Sequence, residues 1–223
     1  MGTLRKYRID NSSCNIFIET GTGLGHSLRH ALHAKIFEKL LSTEIHEETY
    51  LTVQKKFSEF KNVKISNKKS LEFLNDELPK IPTSKKILFY LDAHFPGEVS
   101  NGFNYRNNIH DETSFPLINE LNSIKQIRPT SQDIIIIDDL CLFENGDFEN
   151  GNVAEDFANI GQKTGIFDIE SLFSDRKILR DYRDEGYLLI LPQESRFELK
   201  YLSLIFRLKR SLYKNLKILA SKN

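Results

Sequence analysis

The stretch Glu19-Thr20-Gly21-Thr22-Gly23-Leu24-Gly25 decides how this 223-residue sequence is expected to fold. It follows a short apolar segment at 15–18, typical of a buried strand, and precedes the apolar repeat of a helix predicted over 26–40. The glycines let the backbone turn sharply and approach a ligand closely, and a helix offers free N–H groups where it begins. Strand, glycine turn and helix predict the first unit of an open α/β sheet, whose ligands bind at the carboxyl ends of its strands.

The rest of the sequence continues this alternation of strands and helices. Further strands are predicted at 41–45, 62–66, 87–91 and 134–137, and further helices at 47–60, at 71–78 with Ser70 as N-cap, and at 116–127. A helix near 169–182 comes next, and strands at 187–191 and 201–206 are expected to pair as an antiparallel hairpin at the sheet edge. The pattern predicts a Rossmann-like, doubly wound, mostly parallel sheet of seven strands.

Composition narrows the class of protein. Lys and Arg together number 31, as do Asp and Glu, so the net charge is zero and nucleic acid is not expected as a partner. No apolar run approaches the roughly 20 residues of a membrane span, and the two cysteines indicate buried thiols in a cytoplasmic protein. We expect one domain over 1–206 and a basic helix or tail over 207–223. That tail could pack on the domain, contact a membrane surface or support a homodimer.

The glycine turn is compatible with two classes of cofactor. Dinucleotides favour G-x-G-x-x-G, but here the sixth position is His26. A G-x-G-x-G turn with an acid two residues ahead of it, Glu19, resembles motif I of the class I S-adenosylmethionine-dependent methyltransferases. The resemblance implies that Glu19 lies near the cationic methionyl end of the cofactor. Glu44, which ends the second predicted strand, is placed to accept hydrogen bonds from the ribose hydroxyls.

The sequence departs from the family after the third predicted strand. Methyltransferases of this class often carry an acid there, near the adenine amine, whereas this chain has Asn67-Lys68-Lys69-Ser70. Ser70 could bind the adenine or only cap its helix. The resemblance as a whole implies cofactor contacts from Glu19, Thr20, Gly21, Thr22, Gly23, Gly25, Ser27, Glu44, Ser70 and Asp92.

Acidic residues also follow the fourth and fifth predicted strands, in Leu91-Asp92-Ala93-His94 and Ile137-Asp138-Asp139. Clustered carboxylates repel one another unless a cation or protons compensate, and such oxygen ligands suit Mg²⁺ or Mn²⁺. This set resembles the metal-dependent branch of macrocin O-methyltransferase and related sugar methyltransferases. The resemblance implies metal binding by Asp92, Asp138 and Asp139, catalysis by Asp92 and His94, and proton uptake by the His94 imidazole.

These features favour an S-adenosylmethionine-dependent O-methyltransferase that acts on a hydroxyl of a sugar or another small polyhydroxylated acceptor, assisted by a divalent metal. The loop at 95–115 follows the central strand and is expected to face the acceptor. Two alternatives remain open. One is an NAD-dependent oxidoreductase, which would share the glycine turn and Glu44, and the other is a non-catalytic binding subunit with a methyltransferase fold.

Overall fold

The computed structural model of the chain describes residues 4–93, 116–129, 131–152 and 166–202. Their strands, in chain order, are β1 (Tyr7–Arg8), β2 (Ile16–Thr20), β3 (Lys39–Thr43), β4 (Val63–Ser66), β5 (Ile87–Leu91), β6 (Ile134–Ile137), β7 (Lys177–Asp181), β8 (Tyr187–Leu191) and β9 (Lys200–Tyr201). Seven of them form one sheet in the order β4-β3-β2-β5-β6-β8-β7. All neighbours are parallel except β8, which runs antiparallel to both β6 and β7. The predicted seven-stranded, mostly parallel sheet is confirmed.

Helices cover both faces of this sheet. They are α1 (His26–Ala34), α2 (Glu47–Phe57), α3 (Ser70–Glu77), α4 (Leu117–Ile127) and α5 (Ile166–Leu172), with short 3-10 turns at Leu4–Lys6, Leu78–Lys80 and Leu140–Leu142. Neighbouring strand residues face opposite sides, so Phe17 packs in a core with α1 and α2, whereas Ile18 packs in a core with α3, α4 and α5. Burial on both faces explains why the central strands are continuously apolar.

The strand register brings the carboxyl ends of the central strands to one edge of the sheet. Thr20 at the end of β2 is paired with Thr43 of β3 and with Leu91 of β5. Leu91 is in turn paired with Ile137 at the end of β6. The residues that follow these four strands are therefore neighbours in space, as the parallel order predicts.

Two predicted helices extended too far. The helix predicted over 26–40 ends at Ala34, because Lys35 adopts a left-handed conformation with φ 57° and the chain then enters β3 at Lys39. The helix predicted near 169–182 is the short helix α5 followed by strand β7, which pairs along its length with β8. Pairing with β8 therefore overrides a local sequence that is compatible with a helix.

The partners of the edge hairpin also differ from the prediction. The antiparallel hairpin at the sheet edge is formed by β7 and β8. Only the beginning of the segment predicted at 201–206 is described: it belongs to β9, which pairs with β1 in a separate two-stranded sheet. Arg183 lies over the rings of Tyr7 and Tyr201, 4.7 Å from each centroid, and holds this small sheet against the turn of the hairpin.

Several predictions fall on other parts of the chain. Four of them lie outside the described residues: His94, the whole 95–115 loop, the domain boundary at 206 and the basic segment 207–223. Among the helices that are described, none is long and apolar enough to cross a membrane.

Candidate functional site

The glycine turn connects β2 to α1 and contacts the ends of both neighbouring strands, β3 and β5. Gly21 has φ +82°, and a Cβ added there would lie 2.2 Å from the backbone oxygen of Asp92. The N–H groups of Gly21 and Thr22 donate to the Thr43 oxygen at 3.1 and 3.0 Å. A side chain at position 21 is excluded by both the backbone conformation and the lack of space. The turn is therefore fixed against the ends of β3 and β5.

Glu19 lies directly beneath this turn and is 0% exposed. One carboxylate oxygen accepts a hydrogen bond from the Ser27 hydroxyl at the start of α1. The other accepts one from the Ser42 hydroxyl of β3 at 2.6 Å, and Ser42 is bonded to the Thr22 hydroxyl at 2.6 Å. Ser42 was not predicted as a site residue, although the parallel register places it directly opposite Glu19.

Burial dominates the electrostatics of Glu19. Desolvation of the carboxylate raises its pKa to about 7, and the nearby charge of Glu44 acts in the same direction. The hydrogen bonds from Ser27 and Ser42 oppose this shift, since they stabilise the charged form. A positive ligand near Glu19 would favour the ionised carboxylate further.

Glu44 follows β3 and is largely buried, with 8% exposure. Its two carboxylate oxygens accept hydrogen bonds from the backbone N–H of Gly23 at 2.8 Å and of His46 at 2.9 Å. The side chain of Asn67 donates to the backbone oxygens of Glu44 and Ile45 at 2.8 and 3.1 Å. Glu44 thus joins the glycine turn to the start of α2, and its predicted contact with ribose stays a prediction.

The predicted cap at Ser70 is wrong. Lys69 occupies the N-cap position of α3 without a side-chain cap, and Ser70 is the first helical residue. Its hydroxyl faces the carboxyl group of Glu120 in the first turn of α4, and Thr20 faces the same group. Glu120 was not predicted as a site residue, although it lies three residues after Leu117 and four before Ile124, on the apolar face of α4.

The acids after β5 and β6 converge on the same edge. The N–H of Asp92 donates to the Thr20 oxygen and that of Asp138 to the Leu91 oxygen, each at 3.0 Å, which extends the strand ladders. Burial, followed by the charges of Asp138, Asp139 and Glu19, raises the pKa of Asp92 well above its ordinary value. Burial and the charge of Asp139 raise the pKa of Asp138 in the same way.

Asp138 is 1% exposed and is held by two donors. Its Oδ2 accepts a hydrogen bond from the Tyr90 hydroxyl, and its Oδ1 accepts one from the Asp139 N–H at 2.9 Å. Carboxylates are the right class of ligand for Mg²⁺. However, in the described part of the chain no three His, Cys, Asp or Glu side chains are arranged to hold a metal ion. The described residues therefore do not form a preformed metal site.

Comparison with known proteins supports the fold. No family model matches the sequence, and no curated protein matches it either. Among solved structures, the S-adenosylhomocysteine-bound methyltransferase PaMTH1 of Podospora anserina is similar with a TM-score of 0.54 and 13% identity, over 83% of this chain and 74% of that one. The O-methyltransferase TomG of Streptomyces achromogenes, involved in tomaymycin synthesis and solved with S-adenosylmethionine, is similar with a TM-score of 0.51 and 13% identity, over 85% and 74%. The chain therefore has the fold of the class I S-adenosylmethionine-dependent methyltransferases.

Proposed function

We propose that this protein is an S-adenosylmethionine-dependent O-methyltransferase whose cofactor binds at the carboxyl ends of β2 and β3. The observation that carries the proposal is the buried Glu19 network beneath the glycine turn. A carboxylate fixed by Ser27 and Ser42 suits a ligand that carries an ammonium and a sulfonium. The same carboxylate would repel the pyrophosphate of a dinucleotide. The solved structures of the same fold support this choice, because they contain S-adenosylmethionine or its demethylated product.

The acceptor would lie beside the cofactor, at the ends of β5 and β6. A hydroxyl oxygen of the acceptor attacks the methyl carbon, the carbon–sulfur bond breaks, and S-adenosylhomocysteine leaves. The hydroxyl proton passes to a nearby base, for which Asp92 and His94 are the predicted groups. The protein would contribute chiefly by holding the oxygen in line with the methyl group.

The acids at this edge favour an acceptor with several hydroxyl groups, such as a sugar. Asp92 and Asp139 are partly exposed after β5 and β6, and carboxylates are strong acceptors for hydroxyl donors. Assistance by Mg²⁺ or Mn²⁺ is a separate part of the proposal. It is supported by the ligand class alone, since the described residues do not form a preformed site.

Calorimetry with S-adenosylhomocysteine and with NAD tests the cofactor. We expect heat of binding with S-adenosylhomocysteine and none with NAD, and the reverse result would support an oxidoreductase instead. Transfer of a radioactive methyl group to a panel of sugars then tests the reaction. Tight cofactor binding with no transfer to any acceptor would favour the binding-subunit alternative. Activity that persists in EDTA would contradict the proposed assistance by a metal ion.

A further inference from the structure

Glu120 is a buried acid to which the proposed reaction assigns no role. It lies in the first turn of α4, is 1% exposed, and faces α3, which packs along α4. Acidic side chains are seldom buried to this degree unless a partner compensates them. In the described part of the chain, no Lys, Arg or His side chain forms a hydrogen bond or ion pair with the Glu120 carboxyl group. Its position therefore calls for an explanation other than a salt bridge.

The surroundings of Glu120 are polar but incompletely paired. The hydroxyls of Ser70 and Thr20 lie close enough to lower its pKa, which burial raises to about 7. Even so, within the described part of the chain neither Glu120 Oε1 nor Thr20 Oγ1 has a hydrogen-bond partner. Leaving buried polar atoms unpaired costs free energy, which a bound ligand with a matching donor recovers.

These atoms lie at the end of the cofactor site that lacks an expected acid. Thr20 is the residue before the glycine turn, and Ser70 follows the loop in which Lys69 stands where the methyltransferase pattern would place a carboxylate. Ser70 begins α3 shortly after β4 and Thr20 ends β2, so the Glu120 carboxyl group that both residues face lies at the carboxyl edge of the sheet. A carboxyl group from α4 thus reaches the region that the loop after β4 leaves without one.

We propose that Glu120 replaces the missing acid and that its Oε1 accepts a hydrogen bond from the exocyclic amine of the cofactor's adenine. The Ser70 hydroxyl, which faces the same carboxyl group, then helps to orient it. This inference rests on the proposed function, because it assumes that the ligand is S-adenosylmethionine. It makes Glu120 a determinant of base specificity, with no part in methyl transfer itself.

The test compares two ligands that differ only at the base. S-inosylhomocysteine carries a carbonyl oxygen where S-adenosylhomocysteine carries the amine, so it would place an acceptor against Glu120. We expect the wild-type protein to bind S-adenosylhomocysteine at least about tenfold more tightly by calorimetry. In Glu120→Gln the side-chain amide can donate to the carbonyl oxygen, and the preference should fall to about threefold or less.

Glu77→Gln provides a matched control. Glu77 is another buried acid, at the far end of α3, where it is paired with Lys64 and Lys80. This variant should keep the full preference for adenine. If Glu120→Gln does not fold, Glu120→Asp withdraws the carboxyl group by one methylene and should also narrow the preference.

The possible results distinguish a failure of the proposed function from a failure of the role of Glu120. A wild-type protein that binds neither ligand overturns the proposed function. Binding of S-adenosylhomocysteine without preference over the inosine analogue overturns the role of Glu120 alone. If the Glu120 variants still prefer S-adenosylhomocysteine over the inosine analogue, the role of Glu120 is also overturned, and Glu120 is a purely structural acid.

Discussion

The acids at the ends of β2 and β3 and those at the ends of β5 and β6 share one edge of the sheet, but their surroundings differ. Glu19 and Glu44 each accept two hydrogen bonds, and those donors hold them in fixed positions. Asp138 also accepts two hydrogen bonds, but Asp92 and Asp138 face one another and Asp139, and burial together with these neighbouring acids raises the pKa of each well above its ordinary value. We call the first pair the turn acids and the second pair the facing acids.

The turn acids and the facing acids differ in how far they are arranged for a ligand before it binds. The turn acids are positioned by donors before any ligand arrives, so binding there requires little rearrangement. The facing acids are held close together against their mutual repulsion, and they can be relieved by protons, by a cation or by the hydroxyl groups of an acceptor. This is the division expected of a site that binds a cofactor at one end and performs chemistry at the other.

Gly21→Ala should have the largest effect, because Gly21 is the point at which the turn contacts the backbone of Asp92, one of the facing acids. The added Cβ would overlap the Asp92 backbone in a left-handed conformation. We expect a loss of about 3 kcal/mol in the free energy of unfolding, measured by urea titration. Gly23→Ala is the control, since its Cβ would meet no atom within 4 Å, and it should cost only about 1 kcal/mol. Equal losses in the two variants would contradict the contact.

Glu19→Gln tests the turn acids through pH. The pKa of Glu19 is raised to about 7 by burial, so its carboxylate becomes more fully ionised as the pH rises towards and through 7. The affinity for the cationic S-adenosylmethionine should therefore increase roughly tenfold between pH 5.5 and 7, measured by calorimetry. Glu19→Gln cannot ionise and should bind weakly with a flat profile. A wild-type profile as flat as that of the variant would remove Glu19 from the neighbourhood of the cation.

Tyr90→Phe tests the support that the core gives to one of the facing acids, Asp138. The variant removes the hydroxyl that donates to Asp138 inside the core, and it should lower the free energy of unfolding by about 1 kcal/mol. Tyr182→Phe removes a comparable hydroxyl that donates to Glu144 at the surface. We expect a change within about 0.5 kcal/mol there, because water can replace the bond. If both variants behave alike in thermal unfolding, the Tyr90 bond contributes nothing particular.

Asp92→Asn should show the smallest effect, and one of opposite sign. An acid whose pKa is raised in the folded state stabilises the protein less as the pH rises through that value, and asparagine does not titrate. We expect the variant to gain about 0.5 kcal/mol at pH 8 while losing methyl transfer. Asp10→Asn, which breaks an exposed pair with Arg8, should bring no gain. An Asp92 variant less stable than wild type at pH 8 would show that repulsion between the facing acids does not destabilise the protein.

Much of the central sheet could be predicted from the sequence because its signals are local and agree. The buried β2 strand, the three glycines and the apolar face of α1 all indicate the same unit. The boundaries could not be read as well. Lys35 ends α1 in a left-handed conformation that a lysine rarely adopts. The half-exposed edge strand β7 lacks the continuous apolar pattern of the central strands, and it is a strand because it pairs with β8.

The site was predictable to a similar extent. Acids that follow strand ends can be placed at a common edge from topology alone, and Glu19, Asp92 and Asp138 are found there. The hydroxyl partners required the strand register, which sets Ser42 opposite Glu19. The only sequence signal for the proposed role of Glu120 is an acid on the apolar face of a helix, and this signal is weak.

The contact between Gly21 and the Asp92 backbone also bears on how a mutational screen of this protein should be interpreted. A saturation library would tolerate only glycine at position 21, whichever activity was selected, whereas position 23 would accept Asn or Asp, which tolerate its backbone angle. Intolerance at 21 would report a crowded crossing of two chain segments and would say nothing about chemistry. Position 92 has no left-handed backbone angle and a partly exposed side chain, so losses there would reflect the side chain, and a screen at such positions would reveal the reaction.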